Sequence, residues 1–321
     1  MTHCGNQSIP SHKTVFILLG FPALQETPLP LFFTVLALYT FIVVGNVLIL
    51  VAVVGDPRLH KPMYFFLCNL SAVDILFTTT TVPKMLAMFL FQHNTISFEG
   101  CFLQMYSFHS LGVMESFILV VMAYDRYEAI CHPLHYPVRM TPQANARLAA
   151  SAWAMALVIP APVMVETSQL EYTARATVEH CFCDHLAVVR AACQDAGTEQ
   201  QTFIGFCIAM TVSLVPLFLV LFSYGKILAS ILRIASQEGR AKAFSTCTSH
   251  LMVVEKRTRH QSERTDVTTF YMQGTGTAKK KDEKIPALKE LMFCWAEKTC
   301  TQIKQYKYKY IGVCVCVCTY I

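Results

Sequence analysis

Residues 120–136 read VVMAYDRYEAICHPLHY. An apolar run gives way to an acid, an arginine and an aromatic side by side, Asp125, Arg126 and Tyr127, before His132-Pro133 turns the chain away. Arginine does not surrender its charge, so at the rim of an apolar helix it must snorkel to water, pair with an acid or hold a polar partner from a neighbouring helix. Asp125 is the obvious local partner for Arg126.

Composition sets the class around this stretch. Of 321 residues 54% are hydrophobic and 15% charged, and the mean hydropathy is +0.43, far from an ordinary soluble domain. The chain reads as an all-α membrane protein. Its formal charge of +5 is uneven. Residues 1–254 hold 13 Lys+Arg against 14 Asp+Glu, and residues 255–321 hold 13 against 7. The basic excess belongs to the tail, and the body carries no footprint for nucleic acid.

The first segment, residues 1–27, is polar and shows no removable signal peptide, so the first apolar helix acts as its own insertion signal. Asn6-Gln7-Ser8 is a glycosylation acceptor if this end reaches the secretory lumen. Apolar runs suited to a bilayer follow at Leu29 to Val54, from Pro62 with Pro83 as a kink, from about Cys101 to Cys131, at about Ala146 to Val165 and at Thr202 to Phe222. Asn46 in the first of these must face inward and bond to another helix. Along the third, Phe108, Gly112, Glu115, Leu119, Met122 and Arg126 share a stripe. Intramembrane acids are expensive, which leaves two readings for Asp74 and Glu115. Either they border a pocket for Na+ or water between helices two and three, or they are protonated carboxyls bonded to neighbouring helices.

The loop after helix four holds His180-Cys181-Phe182-Cys183-Asp184-His185, with Cys193 downstream. Cysteine and histidine suit a metal site, whereas an oxidising compartment favours disulfides. The segments Gly55 to Lys61, His132 to Arg147 and Lys226 to Lys242 are basic, while Gln92 to Gly100 has no Lys or Arg. The positive-inside rule therefore puts the amino terminus outside and Arg126 inside.

Four strings, PMYFFLCNLSAVD from Pro62, MAYDRYEAIC from Met122, SYGKI from Ser223 and KAFSTCTSHL from Lys242, together resemble the olfactory receptor family of class A G-protein-coupled receptors. The resemblance covers about Phe16 to Val254. It implies a rhodopsin-like seven-helix bundle in the plasma membrane that binds small, mostly apolar volatiles and activates a stimulatory G protein. It places ligand contacts at Phe108, His109, Gly112 and Val113 on helix three and Ile208 and Val212 on helix five. It assigns coupling to Asp125, Arg126, Tyr127 and Tyr224, and an ion pocket to Asn46, Asp74 and Glu115. It also pairs Cys101 with Cys183, leaving Cys181 and Cys193 as a second candidate bridge. Glu128 departs from the family, which usually has valine there. No acid stands at Phe108, so a neutral ligand is favoured.

After Leu251-Met252-Val253-Val254 comes EKRTRHQSERTD, which no bilayer core accepts. The expectation is therefore about five complete transmembrane helices, a truncated sixth and no seventh, arranged as an extracellular segment (1–27), a receptor-like bundle (28–254) and an unrelated basic, disordered tail (255–321). The tail ends in strict Val-Cys alternation from Val313 to Cys318, as a translated GT repeat gives. A splice error or frameshift into non-coding DNA accounts for it; a real isoform is the other reading. Such a product would not signal and would be retained in the endoplasmic reticulum. A transporter lacks its internal repeat here, and an aspartyl enzyme built on Asp74 and Glu115 explains less than the receptor motifs do. Five spans predict a cytosolic tail: a tag after Ile321 should react in cells with only the plasma membrane permeabilised, and a lumenal tag would overturn the topology.

Overall fold

The computed structural model describes residues 14–20, 28–193 and 196–232. All fall in the first of the two units into which the chain divides, Met1–Cys247 and Thr248–Ile321. The expected start of a sixth helix, the tail and Asn6 lie outside the described residues.

Backbone groups in hydrocarbon find no water, so apolar runs close their hydrogen bonds internally as helices. Five spans among the described residues are long and apolar enough to cross a membrane. They are built from α1 (Pro28–Gly55), α2 (Pro62–Phe91), α3 (Phe98–Cys131), the pair α5 (Pro142–Val158) and α6 (Ala161–Ser168), and α8 (Ala196–Leu232). A short 3-10 turn, Pro57–Leu59, joins the first two. The small helices α4 (Tyr136–Arg139) and α7 (His185–Ala191) lie in the loops before and after the fourth span. That span is broken at Ile159-Pro160, because Pro160 and Pro162 offer no N–H to continue α5. Elsewhere the helix starts follow ordinary capping chemistry. The hydroxyls of Ser97 and Thr141 accept the Gly100 and Ala144 N–H, each at 3.2 Å, and Pro62 and Pro142 occupy first turns.

α3 is the centre of the bundle and packs on α2, α5 and α8, while α1 lies against α2. In its apolar stretch 61% of residues are buried, against 17% in α1 and in α8. The two outer helices turn large apolar side chains outward, among them Phe33, Val51, Phe218 and Leu221. That pattern suits contact with lipid tails.

At the extracellular end the supposedly polar first segment forms a strand that composition alone did not suggest. β1 (Val15–Leu18) lies between β2 (Thr95–Ser97) and β3 (Arg175–Val178), antiparallel to the first and parallel to the second. Phe16 and Leu18 point inward by strand alternation. The Phe16 ring meets Tyr172 edge-on at 5.2 Å and stacks on Phe98 at 6.0 Å. Gly20 follows at φ +66°, the left-handed region where a side chain is disfavoured.

A disulfide joins Cys101 to Cys183 with Cα atoms 5.5 Å apart, which ties the second extracellular loop to the top of α3. One turn below, Gln104 accepts the Cys183 N–H at 3.0 Å and donates to the Thr80 carbonyl of α2 at 2.9 Å. Thr80 lies three residues before Pro83, so Gln104 ties the top of α3 to the stretch of α2 that precedes its proline. The second candidate bridge is corrected by the structure. Cys181 is a buried thiol 3.6 Å from His180 Nδ1, and Cys193 is disulfide-bonded but not to Cys181. The helical turns of α7 separate the two, and the Cys193 N–H is held by the Glu171 carbonyl at 2.9 Å.

Cys101→Ser and Cys183→Ser are expected to behave alike, each costing about 2 to 5 kcal/mol of stability and lowering mature protein. Peptide mapping of the non-reduced protein checks the pairing; unequal effects of the two substitutions would contradict a shared bond.

Candidate functional site

The residues named from the sequence fall into three places along α3. Nearest the extracellular side, Phe108 is buried, stacks on Phe77 of α2 at 4.7 Å and meets Phe182 of the loop at 4.8 Å. His109 stands edge-on to Phe108 at 5.6 Å, and Val113 is buried. Gly112 faces Phe77, whose ring would lie 3.8 Å from a side chain placed there. Phe77 and Phe182 were missed by the sequence reading. Phe182 stood in the quoted cysteine cluster, but nothing in sequence brings it to α3 except the neighbouring disulfide.

Ile208 and Val212 lie on α8. They border an apolar groove of about 350 Å³ between α3, the end of α5 and α8, shared with Phe117, Cys207 and Pro216. Phe108, His109, Gly112 and Val113 are not among its lining residues.

A polar seam closes the loop over the helices. The His185 ring sits against α8 at Gly205, where a Cβ would come within 2.7 Å of Nδ1 and closer still to Cε1, so only glycine permits this docking. Its Nε2 lies 3.1 Å from the Thr167 hydroxyl, which itself donates to the Val163 carbonyl at 2.6 Å. The one hydroxyl proton is thereby committed, so Nε2 carries the hydrogen and donates. Burial lowers the His185 pKa, with Asp184 partly opposing. Burial also pushes the Cys181 thiol up to about 12, which leaves it protonated and a poor metal ligand. Among the described residues no three His, Cys, Asp or Glu side chains converge as a metal site.

In mid-membrane, Asn46, Asp74 and Glu115 are all buried, one on each of α1, α2 and α3. Asn46 donates to the Ile42 carbonyl of its own helix at 3.1 Å. The neighbouring Ser71 hydroxyl, on α2 one turn before Asp74, is buried as well.

At the cytoplasmic end the expected pairing of Arg126 with Asp125 gives way to another. Asp125 accepts the Tyr136 hydroxyl at 2.8 Å, so its carboxylate is engaged by the following loop. Glu128, the unexpected acid, is buried and receives Arg139 Nη1 at 3.1 and 2.9 Å on its two oxygens. Arg126 is half-buried and, among the described residues, has no carboxylate within 4.0 Å. The Tyr127 ring lies edge-on to His132 at 5.2 Å, and Tyr224 is buried on α8.

The sequence model of the family described as olfactory receptor matches residues 35–256. The chain belongs to the olfactory receptor family. Olfactory receptor 2AT4 of Homo sapiens is 64% identical over 250 residues, covering 78% of this chain and 77% of the relative. Olfactory receptor 11A1 of Homo sapiens is 44% identical over 253 residues with the same coverages, and olfactory receptor 226 of Rattus norvegicus is 44% identical over 243 residues, 74% of each chain. As an olfactory receptor the chain is a multi-pass membrane protein of a family of receptors rather than enzymes, and the family match ends where the charged stretch begins.

The depressed pKa of His185 makes the docking of this receptor's loop proton-sensitive. Its contribution is fully present above the ordinary histidine value near 6.5 and is lost as pH falls through that value toward the folded one. Purified protein should therefore melt at a lower temperature at pH 5.5 than at pH 7.5, and His185→Gln should flatten that difference; an unchanged difference would contradict the assignment.

Proposed function

We propose that the receptor architecture of this chain serves a small, neutral, mostly apolar odorant held near Phe108, His109, Gly112 and Val113, with Ile208 and Val212 contributing from α8. The observation that carries the reading is the aromatic setting of Phe108 between Phe77 and Phe182, an apolar surface that suits a neutral ligand. His109 is the polar group available to orient a ligand carbonyl or hydroxyl.

Coupling to a stimulatory G protein would use Arg126, with Tyr224 as its partner when the cytoplasmic side opens, and Asp125 and Tyr127 beside it. Asn46, Asp74 and Glu115, all buried, would supply oxygen donors of the kind that suit a hard cation such as Na+. In the complete architecture these groups would hold the ion, balance the two buried acids and keep the resting state.

The same reading implies that this chain does not signal. Family resemblance ends at residue 256, and residues 255–266 place a run of charges where the sixth span should continue. A ligand shifts a conformational equilibrium only through its difference in affinity for two states, and the moving element here lacks its apolar continuation. Retention in the endoplasmic reticulum follows from the charged run after Val254, which a bilayer core does not accept. The test sets this chain beside a chimera whose residues after Val254 are the corresponding residues of olfactory receptor 2AT4, measuring surface level and cAMP against neutral, acidic and amine odorants. The chimera should reach the surface and answer neutral odorants while the native chain stays inside and silent. A cAMP response from the native chain would overturn the non-signalling reading, and an amine-selective chimera would overturn the ligand class.

A further inference from the structure

Glu128 is an acid with an unusual position. It lies one turn beyond Asp125 on α3, at the end of a membrane span, and it is only 2% exposed. A carboxylate so placed is costly unless cations and donors surround it. Three groups face it from the elements packed around it. Arg139 Nη1 touches both oxygens, His132 Nδ1 lies 3.5 Å from one of them, and Tyr124, one turn earlier on α3, interacts with it electrostatically.

The arrangement repeats a neighbouring one with the same spacing. Asp125 takes Tyr136 and Glu128 takes Arg139, each pair eleven residues apart. Both acids are one turn apart on α3, and both partners are one turn apart on α4, so the loop helix is held by two parallel rungs. Met140, which ends α4, is buried, and its carbonyl receives Asn145 Nδ2 of α5 at 3.4 Å. An isolated helix of four residues has no stability of its own, so these anchors decide whether α4 exists.

We propose that Glu128 is a positioning residue for the second cytoplasmic loop. By capturing Arg139 it locks α4 along α3 and presets the face of that loop before any cytosolic partner arrives. The Arg139 side chain is 48% exposed, so it is the accessible member of the pair, and its substitution leaves the core untouched. The significance of the loop for coupling rests on the receptor reading above, but the lock itself does not, and it is measurable in the chain alone.

The experiment is hydrogen exchange on the full-length chain in lipid nanodiscs, following the amides of Tyr136, Val138, Arg139 and Met140. Their hydrogen bonds to the His132, His135 and Tyr136 carbonyls close the turn of α4. Arg139→Met keeps the aliphatic stem and removes the charge, and should speed exchange of these amides by roughly five- to tenfold. Arg139→Lys should recover at least half of the lost protection on a logarithmic scale, because a cation is restored. Glu128→Val should match Arg139→Met, and the double variant should be no faster than either single one, as expected for a shared interaction. The β1–β3 sheet, at the other end of α3, serves as the control for global loosening and should keep its exchange rates. Exchange of α4 within twofold of wild type in Arg139→Met, or a lysine variant no better protected than the methionine one, would overturn the proposal. Additive effects of Glu128→Val and Arg139→Met would overturn it too. Failure of the odorant and cAMP experiment would leave this result unaffected.

Discussion

A polar group placed in hydrocarbon must find its partner within the protein, and in this chain helix α3 is where most of that requirement is met. From top to bottom it carries Cys101 in the disulfide, Gln104 between two backbone groups, Glu115 in the middle, and Asp125 and Glu128 at the base. Cys101, Gln104, Asp125 and Glu128 each reach another element: the second extracellular loop, α2, or α4. α3 is also the most buried span, so its polar contacts are made where water does not compete and where leaving one unmade is most costly. The remaining spans are arranged by what α3 offers them. α2 and α5 pack on it closely, while α1 and α8 keep wide apolar surfaces toward the lipid.

The spans were legible in the sequence because their signal is local. Twenty or more apolar residues in a row need no partner to be recognised; α1 and α3 begin and end within a few residues of the expected limits, and α2 begins at the expected Pro62. The break in the fourth span was half legible: Pro160 and Pro162 stand in the sequence, but the division into α5 and α6 depends on how the freed backbone settles. The strand Val15–Leu18 was not legible at all. A strand of four residues is defined by its neighbours, and β2 and β3 lie some 80 and 160 residues away in sequence. The same holds at the sites. Cys101 and Cys183 were paired from family resemblance, and the structure joins them, whereas Cys181 and Cys193 could not be sorted by spacing alone, since α7 lies between them. Asp125 was assigned to Arg126 because the two are adjacent. Adjacent residues on a helix point about 100° apart, so side chains one or three turns away, or on another element, compete well for the same carboxylate. Tyr136 wins that competition.

The two ends of α3 are therefore fixed by different chemistry. At the top the anchor is covalent and backed by Gln104, and the seam of His185, Thr167 and Gly205 fastens the same loop to α6 and α8. At the base the anchors are an acid-phenol hydrogen bond and an ion pair whose arginine is half in water, so they yield to competition far more readily than a disulfide does. A helix held firmly at one end and reversibly at the other has an obvious place for change. Asp125 and Glu128 are both engaged by α4, so Arg126 forms no ion pair within 4.0 Å with either, although the Asp125 carboxylate beside it still attracts it. Any partner that enters from the cytoplasmic side must therefore meet α4 as these two rungs hold it, or break the rungs first. The second course costs at least the ion pair, because Glu128 has little access to water with which to replace Arg139.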